Sequence, residues 1–263
     1  MIRQWLLGSM AGTIALRMRD AHAMLTASRE AVGTVANDQL ATRLITRLAD
    51  RGETFVDVGA HIGSVIAEVR RHAPGARIIA VEAIPEKAAR LRTRFPDVRV
   101  ESCAVAEREA TASFFVDLDR SGYSSLARGA GRVREIEVPV RTLDGLIGED
   151  RADIVKIDVE GAELGVLRGA DNLLSAHRPV ILFESGPEEV LGQGKAEMWE
   201  FLHARTYALF VPNRLAHEAP PLSLEGFLDS HLYPRRTTNY FAVPLEKIAA
   251  TRGKARKILE ISA

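Results

Sequence analysis

Asp57, Gly59 and Gly63 lie in the stretch FVDVGAHIGSVIAEVRR, where a strand-like apolar run passes through two glycines in five positions into an amphipathic helix. Glycines at such a turn let backbone approach a ligand closely, and the following helix N-terminus offers unpaired N–H groups to an anion. The expected ligand therefore carries a carboxylate or phosphate. Glu82 ends the next apolar run, 23 residues after Gly59. That is about the offset at which Rossmann-like folds place an acid to accept hydrogen bonds from both ribose hydroxyls. The two features together point to an adenosine-type ligand.

The turn reads Gly59, Ala60, His61, Ile62, Gly63, so it lacks the middle glycine that lets pyrophosphate approach a dinucleotide site. An aspartate just before the turn suits the ammonium of an amino-acid moiety and repels pyrophosphate. The pattern favours S-adenosyl-L-methionine over NAD. Three further carboxylates, Asp158, Glu160 and Glu184, fall at or just past the ends of apolar runs. This is the edge at which parallel sheets bind ligands. With His231 they are the candidates for a general base, and loop-stabilising hydrogen bonds are the competing use of Glu160 and Glu184. Cys103 reads as a small buried apolar group and not as a nucleophile, since no histidine is placed by sequence to activate it.

These residues need a sheet to position them. From Thr54 onward apolar periodicity alternates between short strand-like runs and helical stretches, as in a parallel sheet covered on both faces. Strands are expected at 54–58, 77–82, VRVESCAV, DIVKIDVEG, VILFES, YALFV and NYFAVP. Two extended segments flank a Gly/Ser-rich loop between the third and fourth of these. Helices are expected over SVIAEVRRHA and from Pro85, a favoured first helical position, to Arg94. Residues 212–238 have little regular patterning and carry His217 and His231. A connection that long is expected to be functional, as a substrate lid.

The 263 residues, 46% hydrophobic and 27% charged, suit one large α/β domain with an extension. The division expected is a helical extension over 1–40, the cofactor domain over 41–250 and a C-terminal tail, solvated and helical, over 251–263. Lys plus Arg and Asp plus Glu both number 35. A neutral chain argues against a dedicated nucleic-acid binder. A single cysteine excludes an intrachain disulfide framework and a multi-cysteine zinc site, and fits a reducing cytoplasm. Trp5, Leu6, Met10, Ile14 and Met18 recur at helical spacing in a run too short to span a bilayer. Packing on the main domain or a partner chain is expected there, with peripheral membrane contact as the alternative.

The blocks FVDVGAHIGSV, VEAIPE, SCAV, SGYSSL, VPVRTLDGL, IVKIDVEGAELGVLRGA, PVILFE and NYFAVP occur in the order found in FkbM-type S-adenosylmethionine-dependent methyltransferases, over about 54–244. The chain resembles that family, and KIDVEGAE is the most specific block. The resemblance implies an α/β, Rossmann-like class I methyltransferase fold with a seven-stranded, mostly parallel sheet whose last strand is antiparallel. It implies that Asp57, Gly59, Ala60, His61 and Gly63 hold the methionine part and Glu82 the ribose. Ala83 and Ile84 should border the adenine, with Ser102, Cys103 and Ala104 across from them. Ser124 and Ser125 should lie near cofactor or substrate, and Asp158 should face the methyl donor. The chain has His61 where the family commonly has Asn, and Val81, Glu82, Ala83 where it commonly has Phe–Glu–Pro.

By the same resemblance the expected reaction is O-methylation of a hydroxyl on a small molecule or glycan, such as a secondary metabolite, a sugar or a lipid-linked saccharide. S-adenosyl-L-homocysteine is its product. N-methylation, RNA methylation, a nucleotide-dependent oxidoreductase and a cofactor-binding scaffold without activity are the alternatives. A divalent cation at Asp158 could lower the acceptor pKa, but no strong metal motif is present. Oligomeric state is left open.

Overall fold

The computed structural model describes residues 10–28, 31–118, 124–127, 131–186 and 194–261. Seven strands form the main sheet: β1 (Thr54–Val58), β2 (Arg77–Val81), β3 (Arg99–Glu101), β7 (Ile154–Ile157), β8 (Val180–Glu184), β9 (Tyr207–Phe210) and β10 (Asn239–Pro244). Their order is β3-β2-β1-β7-β8-β10-β9. All pairs are parallel except those of β10, which runs antiparallel to β8 and β9. The expected seven-stranded architecture with an antiparallel last strand is the one found.

Period-two alternation builds two cores. Val56, Val58, Val155, Ile157, Ile181, Phe183 and Tyr240 join one buried cluster, and Phe55, Ile154, Val180, Leu182 and Phe241 join the other. Successive strand side chains point to opposite faces, so the sheet lies between them. By the same parity Asp57, Lys156 and Asp158 belong to the second face. Helix α2 (Val32–Leu48) packs there through Ala41, Leu44, Ile45 and Leu48. These four recur at the spacing of one helical stripe. A boundary between residues 40 and 41 thus falls inside a continuous helix.

Several expectations are corrected. VRVESCAV is not one strand: β3 ends at Glu101, and β4 (Ala104–Val105) leaves for a second sheet beside β6 (Val133–Arg141) and β5 (Ala110–Asp117). Because β3 is an edge strand, nothing beyond it holds Ser102 and Cys103 in line, whereas Ala104 and Val105 gain Val140 and Arg141 as partners. DIVKIDVEG stops being a strand after Ile157, since Glu160 and Gly161 adopt φ of 56° and 97°.

The segment 212–238 is partly helical and partly packed, while its Leu232 and Tyr233 stay 65% and 75% exposed. It contains short helices at Pro212–Leu215 and Leu224–Asp229 and buries Leu215, Leu222, Phe227, Ser230, His231 and Thr237. Nor is the C-terminus a solvated tail. The helix Ile248–Leu259 buries Thr251 and Ala255, and Lys254 Nζ donates to the Leu48 carbonyl at 3.0 Å.

Helix α1 spans Met10–Thr26. Of the apolar residues at helical spacing, Trp5 and Leu6 lie outside the described residues, while Ile14 and Met18 are 55% and 68% exposed. Those two do not pack on the domain. Among the described residues no helix is long and apolar enough to cross a membrane.

Candidate active site

The turn after β1 is held by its neighbours. Gly59 N and Ala60 N both donate to the Val81 carbonyl at 3.0 Å, and Gly63 N donates to Ala60 O at 2.8 Å. Gly59, His61 and Gly63 have φ of 84°, 51° and 81°. Left-handed backbone costs ordinary residues about 1–2 kcal/mol and is entered most readily by Gly, with Asn, Asp and His enriched among the rest. His61 therefore suits its position through backbone conformation, as an Asn there would. The nine-residue helix α3 (Ser64–His72) starts directly after Gly63.

Glu82 is buried where β2 ends. Its Oε2 accepts from His61 N at 2.8 Å and its Oε1 from Ile84 N at 2.9 Å. Burial nonetheless raises its pKa above the ordinary glutamate value. Each carboxylate oxygen has a second lone pair, so both retain capacity for a ligand.

A cleft open to solvent runs along this edge. Gly59, His61, Glu82, Ala83, Ile84, Cys103, Ala104, Asp158 and Glu160 all line it. Asp57, Ala60, Gly63, Ser102, Ser125, Glu184 and His231 are not on its wall. Ser124 lines the cleft, whereas the Ser125 hydroxyl is taken up by Ala127 N at 3.0 Å. Lys87, Phe114, Leu126, Val159 and Ala162 also line it, beside the strand-end valines Val58, Val81 and Val105, and sequence reading singled out none of those five. Burial pushes the Cys103 thiol up to about 11, which leaves it protonated and a poor nucleophile.

Asp57 faces a lysine. In register it lies opposite Lys156, whose Nζ is 3.3 Å from Asp57 Oδ1 and 3.1 Å from Asp158 Oδ2. Burial opposes the Lys156 charge, yet the two aspartates hold its pKa above the usual lysine value. Burial raises the Asp57 pKa, with Lys156 pulling against it. The signal for this pairing was a lone lysine inside the apolar run IVKID.

Asp158, Glu160 and Glu184 converge, with one oxygen of each within 4.8 Å of the others. Such a trio can hold a hard cation or share protons. Here Asp158 and Glu184 are hydrogen-bonded to each other. Burial and the neighbouring carboxylates push Glu184 up to about 10, so it is the protonated partner at neutral pH. Burial works against the Asp158 charge, but Lys156 and the Glu184 hydrogen bond hold its pKa below the ordinary value. The result is an ionised Asp158 beside a neutral Glu184.

Glu163 steadies the loop that carries Glu160. Its Oε1 accepts from Val159 N at 3.0 Å and Gly161 N at 3.2 Å, and burial raises it to about 7. His231 is 6% exposed and stacked on Tyr240, and its Nε2 lies 2.8 Å from Ser185 Oγ. Burial lowers its pKa to about 4, leaving the ring neutral. His217, by contrast, is exposed.

A family model described as "Methyltransferase FkbM domain" matches residues 57–209. A curated relative, "Methyltransferase 1" of Beauveria bassiana (strain ARSEF 2860), is 26% identical over 145 residues, covering 45% of this chain and 58% of that protein. The chain thus spans under two thirds of that relative. The crystal structure of methyltransferase FkbM from Methylobacillus flagellatus KT matches with a TM-score of 0.50 and 18% identity, covering 87% of this chain and 60% of that one. Aeropyrum pernix fibrillarin, solved with natively bound S-adenosyl-L-methionine, matches with a TM-score of 0.43 and 14% identity, over 78% of this chain and 74% of that one.

Proposed function

This chain belongs to the methyltransferase FkbM family, and from that premise we propose that it methylates a hydroxyl oxygen of a small molecule or glycan. S-adenosyl-L-methionine is the methyl source and S-adenosyl-L-homocysteine the product. The observation that carries the reading is the meeting, at one sheet edge, of the Glu82 carboxylate, an apolar slot and an ionised Asp158.

The chemistry of the lining fits the cofactor. Glu82 accepts the two ribose hydroxyls with its remaining lone pairs. Ile84, Cys103, Ala104, Phe114 and Leu126 form walls for a planar base. The backbone N–H groups where α3 begins suit the amino-acid carboxylate. Asp57 contributes by fixing Lys156 beneath the turn and does not reach the cleft. Bound there, the cofactor supplies an electrophilic methyl group on a sulfonium leaving group.

The chain's own residues align the acceptor, exclude water and take up its proton. Asp158 accepts that proton, and Glu184 beside it is neutral, so the pair changes from one negative charge to none. A carboxylate held at low pKa is a weak base. It suffices because an alcohol proton becomes strongly acidic as its oxygen gains a methyl group. Glu160, on the loop clamped by Glu163, faces the same space and binds the acceptor.

The test is tritiated methyl transfer from S-adenosyl-L-methionine to pooled sugar, polyketide and lipid-linked hydroxyl acceptors, with amine counterparts alongside. Label in an ether supports the reading, and label confined to amines overturns it. Asp158→Asn is expected to lower turnover by about 100-fold or more, within the span of acid–base contributions. Its affinity for S-adenosyl-L-homocysteine should stay within about threefold of wild type, a spread of less than 1 kcal/mol. Unchanged turnover would remove Asp158 from the proton path.

A further inference from the structure

Lys87 stands where a helix disfavours a cation. It is the third residue of α4 (Pro85–Arg94), the helix that begins directly after Glu82, Ala83 and Ile84. The first turn of a helix carries partial positive charge, so acids stabilise it and cations do not. Glu86 in that turn is of the expected type and pairs with Arg134 of β6 at 3.1 Å. Lys87 is of the opposite type and is half-buried. Burial lowers its pKa below the usual lysine value. An ammonium kept against both costs needs a nearby anion to offset them.

Glu82 is such an anion. Both residues line the cleft, and the Glu82 carboxylate attracts the Lys87 charge while Arg90 repels it. The attraction is mutual, and Lys87 offsets part of what burial costs the ionised Glu82. The Ile84 peptide links the two: its N donates to Glu82 Oε1 at 2.9 Å, and its carbonyl accepts from Lys87 N at 3.0 Å. A ribose hydroxyl has one proton to give and two lone pairs to fill. When both hydroxyls donate to Glu82, their oxygens can still accept. The N–H groups of His61 and Ile84 are spent on Glu82 itself. An ammonium has three protons, so a contact with one protein group leaves others for a ligand.

We propose that Lys87 is a second ribose-binding residue: Glu82 takes the protons of the cofactor's two hydroxyls, and the Lys87 ammonium donates to their oxygens. One acidic and one basic side chain thus read the same diol from its donor and its acceptor sides. The inference deepens the reading of this cleft as the cofactor's seat and rests on the ribose lying at Glu82. It concerns a part of the ligand that S-adenosyl-L-methionine and S-adenosyl-L-homocysteine share, so it holds whatever the methyl acceptor is.

The test compares the full chain with Lys87→Met, Lys87→Arg and Glu82→Gln. Calorimetry reads the affinity of each for S-adenosyl-L-homocysteine, and displacement reads it for the analogue lacking both ribose hydroxyls. Lys87→Met is expected to weaken S-adenosyl-L-homocysteine by about tenfold or more, as the loss of a charge-assisted hydrogen bond does. The same change should weaken the analogue by no more than about threefold, since the partner atoms are missing. Lys87→Arg, which keeps a charged donor, should restore most of the affinity. An unaltered affinity in Lys87→Met would overturn the proposal. So would an equal loss for both ligands, which is what a merely structural role gives. Should Lys87→Met not fold, Lys87→Gln removes the charge at similar length and must show the same contrast between the ligands. If Glu82→Gln weakens S-adenosyl-L-homocysteine and Lys87→Met does not, this inference fails while the ribose placement stands. If neither change matters, the placement itself fails and the inference with it.

Discussion

Replacing Lys156 with methionine is expected to lower the unfolding free energy at neutral pH by about 3–5 kcal/mol, the usual result of removing one partner of a buried ion pair. Asp57 is completely buried, and neither of its oxygens has a directed hydrogen bond to fall back on. Burial already raises its pKa, and without Lys156 the rise is larger. A carboxyl whose folded pKa exceeds its unfolded value contributes stability fully present below the unfolded pKa and lost as pH rises through the folded one. The deficit of Lys156→Met should therefore be smallest in acid and grow toward neutral pH. Urea unfolding at about pH 4 and about pH 7 reads both the size and the slope. A deficit that is flat with pH would mean that Asp57 is not the group left charged. Adding Asp57→Leu should return most of the loss, because an apolar pair of similar volume replaces a buried ionic one at little net cost.

Gly59→Ala is expected to abolish cofactor binding or folding. A Cβ built at Gly59 would lie 1.9 Å from the backbone oxygen of Asp158, and the residue sits at φ +84°. Backbone cannot yield as a flexible side chain can, and Asp158 N is itself tied to the Val58 carbonyl at 3.1 Å. Relief requires the ends of β1 and β7 to separate, which moves the turn and Asp158 together. The expected loss of affinity for S-adenosyl-L-homocysteine is about 100-fold or more, equivalent to at least ~2.7 kcal/mol. Gly33→Ala is the control, since a Cβ there has nothing within 4 Å. In a helix that change is expected to be neutral or stabilising by up to about 1 kcal/mol. Near-wild-type affinity in Gly59→Ala would show that the strand ends are not locked together.

Much of this was legible in the residues. Alternating apolar runs gave the strands of the main sheet, Pro85 marked the start of its helix, and the glycine turn with Glu82 located the cleft. What escaped was set by long-range pairing. Asp57 reads as a ligand for an ammonium because it ends a strand, and only the β1–β7 register brings Lys156 opposite it. VRVESCAV has the composition of one strand, but its second half finds hydrogen-bond partners in another sheet. Residues 212–238 look irregular because their apolar residues are spread over two short helices, with Leu222 between them. His231 reads as a candidate base in an irregular segment, and the aromatic rings of Phe227 and Tyr240 that enclose it come from separate elements. Asp38 carried no signal at all, since Thr237, Thr238 and Asn239, which donate to its carboxylate, lie about 200 positions away in the chain.

The most direct test of the account is calorimetric titration of the full chain with S-adenosyl-L-homocysteine and, separately, with NAD. The account predicts saturable binding of one S-adenosyl-L-homocysteine per chain, weakened about tenfold or more by Glu82→Ala through the lost charge-assisted hydrogen bonds to ribose. It predicts no binding of NAD. Binding of NAD without S-adenosyl-L-homocysteine, or an affinity for the latter indifferent to Glu82, would contradict it.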